Sequence, residues 1–311
     1  MLEIKQFEDF KFDLDLFNIY LKKWVLGIES ETLFWKSWFE TKGLQWKDQF
    51  QERISDNVDF KLENYLENNV KETVVLDVGS GAISSCGTKS NKTNLKICAV
   101  DPLAYIYKTL KEKSGITTGL SPDFCMVERL SEKFEPNSFD IVHMRNALDH
   151  SFNAVFGIFQ LLYICKIGGK VVLQHIKNEA EKESYIGFHQ WNLCVENNNF
   201  IVWRQNVKYN VSSIVSNFAE VIVEDKDENW VGIVINKRKD INIDSVLQSE
   251  INTMINNAVF QRLSDYVISS VYDRCSKEKI MRFFANIPLV GYILRKIYNV
   301  IYNVIRKMKE S

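Results

Sequence analysis

The sequence predicts an α/β fold: a doubly wound, mostly parallel seven-stranded sheet covered by helices, with helical appendages at both ends. Three observations carry this. An apolar β run at 73–78 opens straight into a Gly-x-Gly turn at Gly79 and Gly81, and a second run at 95–100 ends in Asp101. Between residues 70 and 238, strand patterns alternate with helical ones. The last two apolar runs, 221–223 and 230–235, are joined by a short acidic turn, 225–229, and should pair as an antiparallel hairpin.

The elements follow in order. Residues 1–68 form a helical N-terminal cap, in which Leu14, Leu16, Phe17, Tyr20, Leu21 and Trp24 fall at helical spacing. A second helix is expected at 30–39, stopped near Gly43. Trp35, Trp38 and Trp46 suit either a small helical core or an aromatic lid over a ligand. The central domain spans 69–238, with strands at 73–78, 96–100, 123–127, 139–144 and 169–175 and the closing hairpin. A polar, aromatic-bearing insertion occupies 176–210.

Residues 239–311 return to helix. From Lys277 onward eight basic residues face two acidic ones, with apolar residues and Tyr292, Tyr298 and Tyr302 between them. Such a tail at 277–309 suits peripheral contact with an anionic membrane surface, or docking on the core, a partner or a second copy. Pro288 and Gly291 should break it into two helices.

Composition bounds the class. Hydrophobic content is 46% and charged content 25%, both ordinary for a globular protein. The net charge of −1, with no basic stripe in the core, argues against nucleic acid. The six cysteines contain no C-x-x-C pair and several lie in apolar runs, which favours free thiols in a reducing, cytoplasmic compartment. No apolar run approaches the ~20 residues that span a bilayer.

Glycines at a strand end let backbone approach a ligand without an intervening Cβ. A carboxylate at the tip of the next strand, Asp101 followed by Pro102, can accept bonds from two ribose hydroxyls. Gly79, Ser80, Gly81, Asp101 and Pro102 therefore outline a site for an adenosine-type cofactor. A dinucleotide site wants a third glycine three residues on, where this chain has Ser84. Asp77, inside the strand end, repels pyrophosphate but suits a cation.

Asp77-x-Gly79-x-Gly81 resembles motif I of the class I S-adenosylmethionine-dependent methyltransferases, with Ile83 where that motif has its third glycine. Further segments resemble the same family in the same order: Glu128-Arg129-Leu130, the run 136–142, the run 143–150, and the Gly168-Gly169 turn. The resemblance covers 70–238. It implies S-adenosyl-L-methionine as cofactor, Glu128 and Arg129 near the adenine, Asn146 in the segment facing the methyl donor, and the closing hairpin as a signature.

All four histidines, His143, His150, His175 and His189, lie between 143 and 189. His143 sits inside a strand and reads as structural. His150 after Asp149, His175 at the end of the fifth strand and His189 in the insertion are the expected catalytic or acceptor-binding residues, since a hydroxyl acceptor benefits from a base. Asn178, Glu179 and Tyr185 are further candidates for contacts to hydroxyls. The same His/Asp/Glu cluster could hold a divalent metal, as in metal-dependent O-methyltransferases, but no ligand spacing here demands one and no metal ligands are assigned.

Segments 145–150 and 189–192 resemble those of methyltransferases associated with bacterial surface-polysaccharide synthesis, which implies O-methylation of a sugar or nucleotide sugar. Methylation of a lipid or other small metabolite, and a non-catalytic cofactor-binding partner subunit, remain the alternatives.

Overall fold

The structure, a computed structural model, describes residues 4–5, 12–68 and 70–260. The basic tail at 277–309 lies outside the described residues. The chain divides into two compact units, 1–254 and 255–311.

A two-residue strand, β1 (Ile4–Lys5), precedes the long helix α1 (Leu14–Glu40). Asp13 caps α1, its Oδ1 accepting the Leu16 N–H at 2.9 Å. Phe17, Tyr20, Leu21, Trp24, Ile28, Trp35 and Trp38 are buried at three- and four-residue steps, one continuous apolar face. The two helices expected at 14–24 and 30–39 are therefore one. Ser30 does not start a helix. Its Oγ donates back to Gly27 O at 2.9 Å, and Thr32 Oγ1 does the same to Ile28 O at 2.7 Å. Gly27 stays helical and leaves room for a ring, since a Cβ there would lie 2.4 Å from Phe188. A short helix, α2 (Lys47–Ile54), follows.

The central sheet then begins: β2 (Glu72–Val78), β3 (Asn94–Asp101), α3 (Ala104–Lys113), β4 (Asp123–Phe124), α4 (Leu130–Lys133), β5 (Phe139–Arg145), α5 (Ala154–Ile164) and β6 (Cys165–Ile176). Its remaining strands are β10 (Ala219–Asp227) and β11 (Trp230–Lys237), which come after the insertion. The order is β10-β11-β6-β5-β2-β3-β4, seven strands as expected. β2 pairs in parallel with β3 and β5, and β6 in parallel with β5. β4 is shorter than the expected 123–127, because the chain turns into a 3-10 helix at Val127–Arg129.

The core follows from composition. Val75, Leu76, Val142, Val171 and Leu173 are almost inaccessible, and α5 is apolar nearly all round because both its faces are covered. Its one large polar residue, Gln160, is satisfied by Ser131 N–H and by Gln248.

The insertion departs most from expectation. After α6 (Glu179–Lys182) it folds into β7 (Asn192–Glu196), β8 (Asn199–Arg204) and β9 (Val207–Asn210), an antiparallel meander. β1 adds in parallel to β9, giving a second, four-stranded sheet. The β7–β8 turn is Asn197-Asn198, both with positive φ (48° and 61°), which short polar side chains tolerate and tight hairpins need.

After α7 (Val211–Ile214), β10 (Ala219–Asp227) and β11 (Trp230–Lys237) form the expected antiparallel hairpin, and β11 pairs with β6. Helix α8 (Ser245–Ile255) comes last, and residues 256–260 of the second unit form a π turn. No helix among the described residues is long and apolar enough to cross a membrane.

Candidate functional site

β2 feeds β3 on one side and lies beside β5 on the other, so strand order reverses between them. Open α/β sheets bind ligands at the carboxyl ends of strands at such a reversal. A cavity of about 620 Å³ opens there, within the range of roughly 300–1,000 Å³ usual for ligand pockets. One end is formed by the β2 and β3 tips. The other is formed by the segment after β5 and by the insertion.

At the first end, Gly79 and Gly81 have φ of 63° and 69°. Their missing side chains make room for protein. A Cβ on Gly79 would meet Ala147 at 2.5 Å, and one on Gly81 would meet the Trp35 ring at 2.3 Å. The turn's amides point inward: Gly79 and Ser80 N–H donate to Val100 O, and Gly81 N–H donates to Asp101 Oδ2 at 3.0 Å. Asp101 Oδ1 accepts the Leu103 N–H at 2.8 Å. Each Asp101 oxygen thus keeps a lone pair. Burial pushes its carboxyl up to about 7, although both backbone bonds favour the ion. Pro102 and Ser80 also line the wall.

Asp77 lines the wall but is committed. His143 Nδ1 lies 2.8 Å from its Oδ1, and Ser84 Oγ donates to Oδ2 at 2.6 Å. Burial alone would raise this carboxyl; His143 and Ser84 outweigh it and hold it below the usual range. His143 itself does not line the cavity. Glu128 also reaches the wall, but its Oε1 accepts the Phe152 and Asn153 N–H groups at 2.6 and 3.2 Å. It braces the segment leading into α5, and burial pushes it up to about 7. Arg129 is not on the wall. Its guanidinium turns to Glu132 one helical turn on, where an i,i+3 partner is within reach. Asn146 is on the wall with φ of 46°, its Oδ1 accepting the Ile176 N–H at 3.0 Å.

At the second end, His150 and His189 line the cavity with side chains 20% and 25% exposed. Asp149 lies behind them, 1% exposed. Its Oδ2 is 2.9 Å from His189 Nδ1 and 3.3 Å from His150 Nε2, and those nitrogens are 3.2 Å apart. The insertion is fastened here by its backbone: Gln190 and Trp191 N–H both donate to Asp149 O. Burial would lower His189, but Asp149 beside it outweighs this and holds it up at about 8. Glu179 shares the wall, and burial and the Asp149 charge push it up to about 7. His175 does not open on the cavity. It is sealed in β6, 1% exposed, neither ring nitrogen has a partner, and burial pulls it down to about 4. Strand-end position misplaced it, because at this register, beside Val231 of β11, the side chain lies in the protein interior rather than on the cavity wall.

The sequence reading missed Trp24, Glu31 and Arg53. Helix α1 brings Trp24, Glu31 and Trp35 to the wall, and Glu31 Oε1 accepts the Trp35 indole N–H at 2.8 Å. Arg53, at the end of α2, donates to Ile83 O at 2.9 Å and lies 5.6 Å from the Trp35 ring centre. Burial pulls it down to about 10. Arg145 lies over Trp230 at 5.0 Å. The helical period of α1 carried a signal for Trp24 and Glu31; nothing local marked Arg53.

No family model and no curated protein matches the chain. Among solved structures, the chain is similar to a CurJ carbon methyltransferase at 14% identity and TM-score 0.41, covering 56% of this chain and 50% of that one. It is similar to a SAM-dependent methyltransferase from Aquifex aeolicus at 15% identity and TM-score 0.36, covering 57% and 89%. It is also similar to the Thermus thermophilus 16S rRNA N2 G1207 methyltransferase in complex with AdoMet and guanosine, at 10% identity and TM-score 0.36, covering 58% and 39%. The chain thus spans about half the length of the first of these and less of the third.

Proposed function

We propose that this chain is an S-adenosylmethionine-dependent methyltransferase that methylates a hydroxyl of a polar small molecule, a sugar or sugar-linked group. The observation that supports this most is the single cavity running from Asp101 and the glycine turn to His150 and His189. It offers a nucleoside contact at one end and groups that engage a hydroxyl at the other.

The residues present fit the donor better than a dinucleotide. The turn's amides are spent on Val100 O and Asp101, leaving no nest for pyrophosphate. Carboxyl groups on the described wall (Glu31, Asp77, Asp101, Glu128, Glu179 and Glu183) outnumber the guanidiniums of Arg53 and Arg145, and a cationic ligand would favour the ionised form of those that burial raises. Bound there, S-adenosylmethionine would supply an electrophilic methyl group on a good leaving group. Asp101 would hold ribose hydroxyls on its free lone pairs. Trp35 and Phe152 supply apolar walls that exclude water. His150 and His189 would engage the acceptor hydroxyl, and the exposed Trp46 offers an aromatic face for a sugar ring.

Calorimetry of the full chain with S-adenosylhomocysteine tests the donor site; one-to-one binding is expected, and none at millimolar ligand removes the reading. Transfer of labelled methyl to a panel of nucleotide sugars tests the acceptor. Label entering a lipid or another metabolite instead would keep the enzyme and discard the sugar. Binding without transfer to any acceptor class would favour a non-catalytic subunit.

A further inference from the structure

We propose that Asp149, His150 and His189 form a binding site for a divalent transition-metal ion of the zinc, cobalt or manganese type. It lies at the acceptor end of the cavity. The ion's binding needs nothing from the methyl-transfer reading; its role toward an acceptor hydroxyl rests on that reading.

The geometry carries this. Asp149 Oδ2, His189 Nδ1 and His150 Nε2 form a triangle with edges of 2.9, 3.2 and 3.3 Å. Ligand atoms on one ion at bonds of about 2.0–2.2 Å, set at tetrahedral or octahedral angles, lie roughly 2.9–3.5 Å apart. The triangle has those edges, and one centre at such a distance from all three atoms exists for it.

Protons satisfy the same triangle poorly. A neutral imidazole has one N–H and one lone pair. If both facing nitrogens carry protons, both can donate to Oδ2, but the two N–H groups then confront each other across 3.2 Å. If only His189 carries one, the same hydrogen must serve both Oδ2 and His150. If only His150 carries one, the His189 lone pair faces Oδ2 across 2.9 Å, and if neither does, two lone pairs and a carboxylate oxygen face one another. A cation at the centre uses all three lone pairs at once.

Two further observations point the same way. Asp149 is 1% exposed, yet its Oδ1 has no hydrogen-bond partner, so a buried carboxylate is held by the two imidazoles alone. Burying a charge so sparsely partnered is costly unless a cation compensates, whether an imidazolium or a metal ion. The ligand positions are also braced. Gln190 and Trp191 N–H fix the Asp149 carbonyl, and the His150 ring packs edge-on against Phe188 at 5.6 Å.

The site has an entry path, because both histidines line the cavity while Asp149 closes the back. Three protein ligands leave further coordination positions, and these open toward the cavity. Two imidazoles and one carboxylate suit transition ions better than calcium or magnesium, which prefer all-oxygen ligands. An acceptor hydroxyl on an open position would lose its proton to solvent more readily, as metal-bound water does. A second cluster, Asp77, Cys86 and His143, also brings potential ligands together. It is buried throughout, and Ser84 already holds one of its carboxylate oxygens.

The test uses untagged full-length protein, stripped with a chelator and titrated with Co(II). Expected are a visible d–d absorption band and one-to-one binding by calorimetry, displaced by Zn(II). His150→Gln and His189→Gln should each weaken binding by more than roughly 100-fold, since even partners outside the ligand set are worth about 10–100-fold. Both variants should keep the wild-type circular dichroism spectrum and S-adenosylhomocysteine affinity, which keeps a folding defect distinct. The proposal is overturned if Co(II), Zn(II) and Mn(II) all fail to bind the wild type, or if binding survives both substitutions as a surface adsorption would. The histidines then act through protons alone. Product binding without metal binding would sink the ion and spare the methyltransferase; the reverse would do the opposite.

Discussion

The two ends of the cavity are built in opposite ways. The β2–β3 end is assembled from consecutive residues: a strand, its turn, and the tip of the neighbouring strand twenty positions later. Gly81 N–H reaches Asp101 because parallel register sets Val78 beside Val100. The histidine end is assembled from Asp149 and His150 after β5 and His189 from the insertion, joined by two amides on one carbonyl. The contrast teaches that a rim at strand ends can be written into local sequence. The histidine cluster forms only once the insertion is fastened to the segment after β5.

The largest expected effect lies at the histidine end. Asp149→Ala should lower the turnover number by on the order of 100-fold or more, the scale of a lost acid–base or electrophilic group. S-adenosylhomocysteine affinity should change by less than about twofold, so the loss falls on kcat. Equal loss of both would mean the two ends are not independent, and the contrast would collapse.

At the other end, Asp101→Ala should weaken S-adenosylhomocysteine by on the order of 2–3 kcal/mol, the scale of hydrogen bonds to a charged acceptor. The pH profile sharpens this. With its carboxyl pushed up to about 7, Asp101 is protonated below that pH and loses acceptor capacity. Wild-type affinity should therefore rise from pH 6 to pH 8, with proton release on binding near pH 6.5, while Asp101→Asn stays flat. A flat wild-type profile would show that Asp101 does not meet the ligand.

Gly81→Val should destabilise the fold by roughly 2 kcal/mol or more, from left-handed strain and from overlap with Trp35. Urea unfolding measures it. Pairing it with Trp35→Ala should recover the steric part but not the strain.

Smaller effects test the corrections. His175→Phe should cost under about 1 kcal/mol and leave transfer near wild type, because removing two unpartnered buried nitrogens offsets the change of shape. A large loss of turnover with unchanged stability would return His175 to the site. Arg129→Ala should leave S-adenosylhomocysteine affinity unchanged in calorimetry, since its partner is Glu132.

By itself the sequence determined the sheet, its closing hairpin and the rim at Gly79–Gly81 and Asp101. Those features depend on residues close in sequence and on strand periodicity, which local pattern records. It also named His150, His175 and His189 as candidates, because all four histidines cluster between 143 and 189, but not which of them meet. Only the tertiary structure decided the rest. It made one helix of two, because the side chains of Ser30 and Thr32 bonded back to their own turn instead of capping a new one. It buried the His175 ring away from the cavity and turned Glu128 into a brace. It set Arg53 against Trp35, and Trp35 against Gly81. These outcomes hang on which buried polar group finds which partner across 20 to 120 residues of chain, and on which apolar face covers which. Hydrogen-bond satisfaction and close packing are settled collectively, so no local window of residues encodes them.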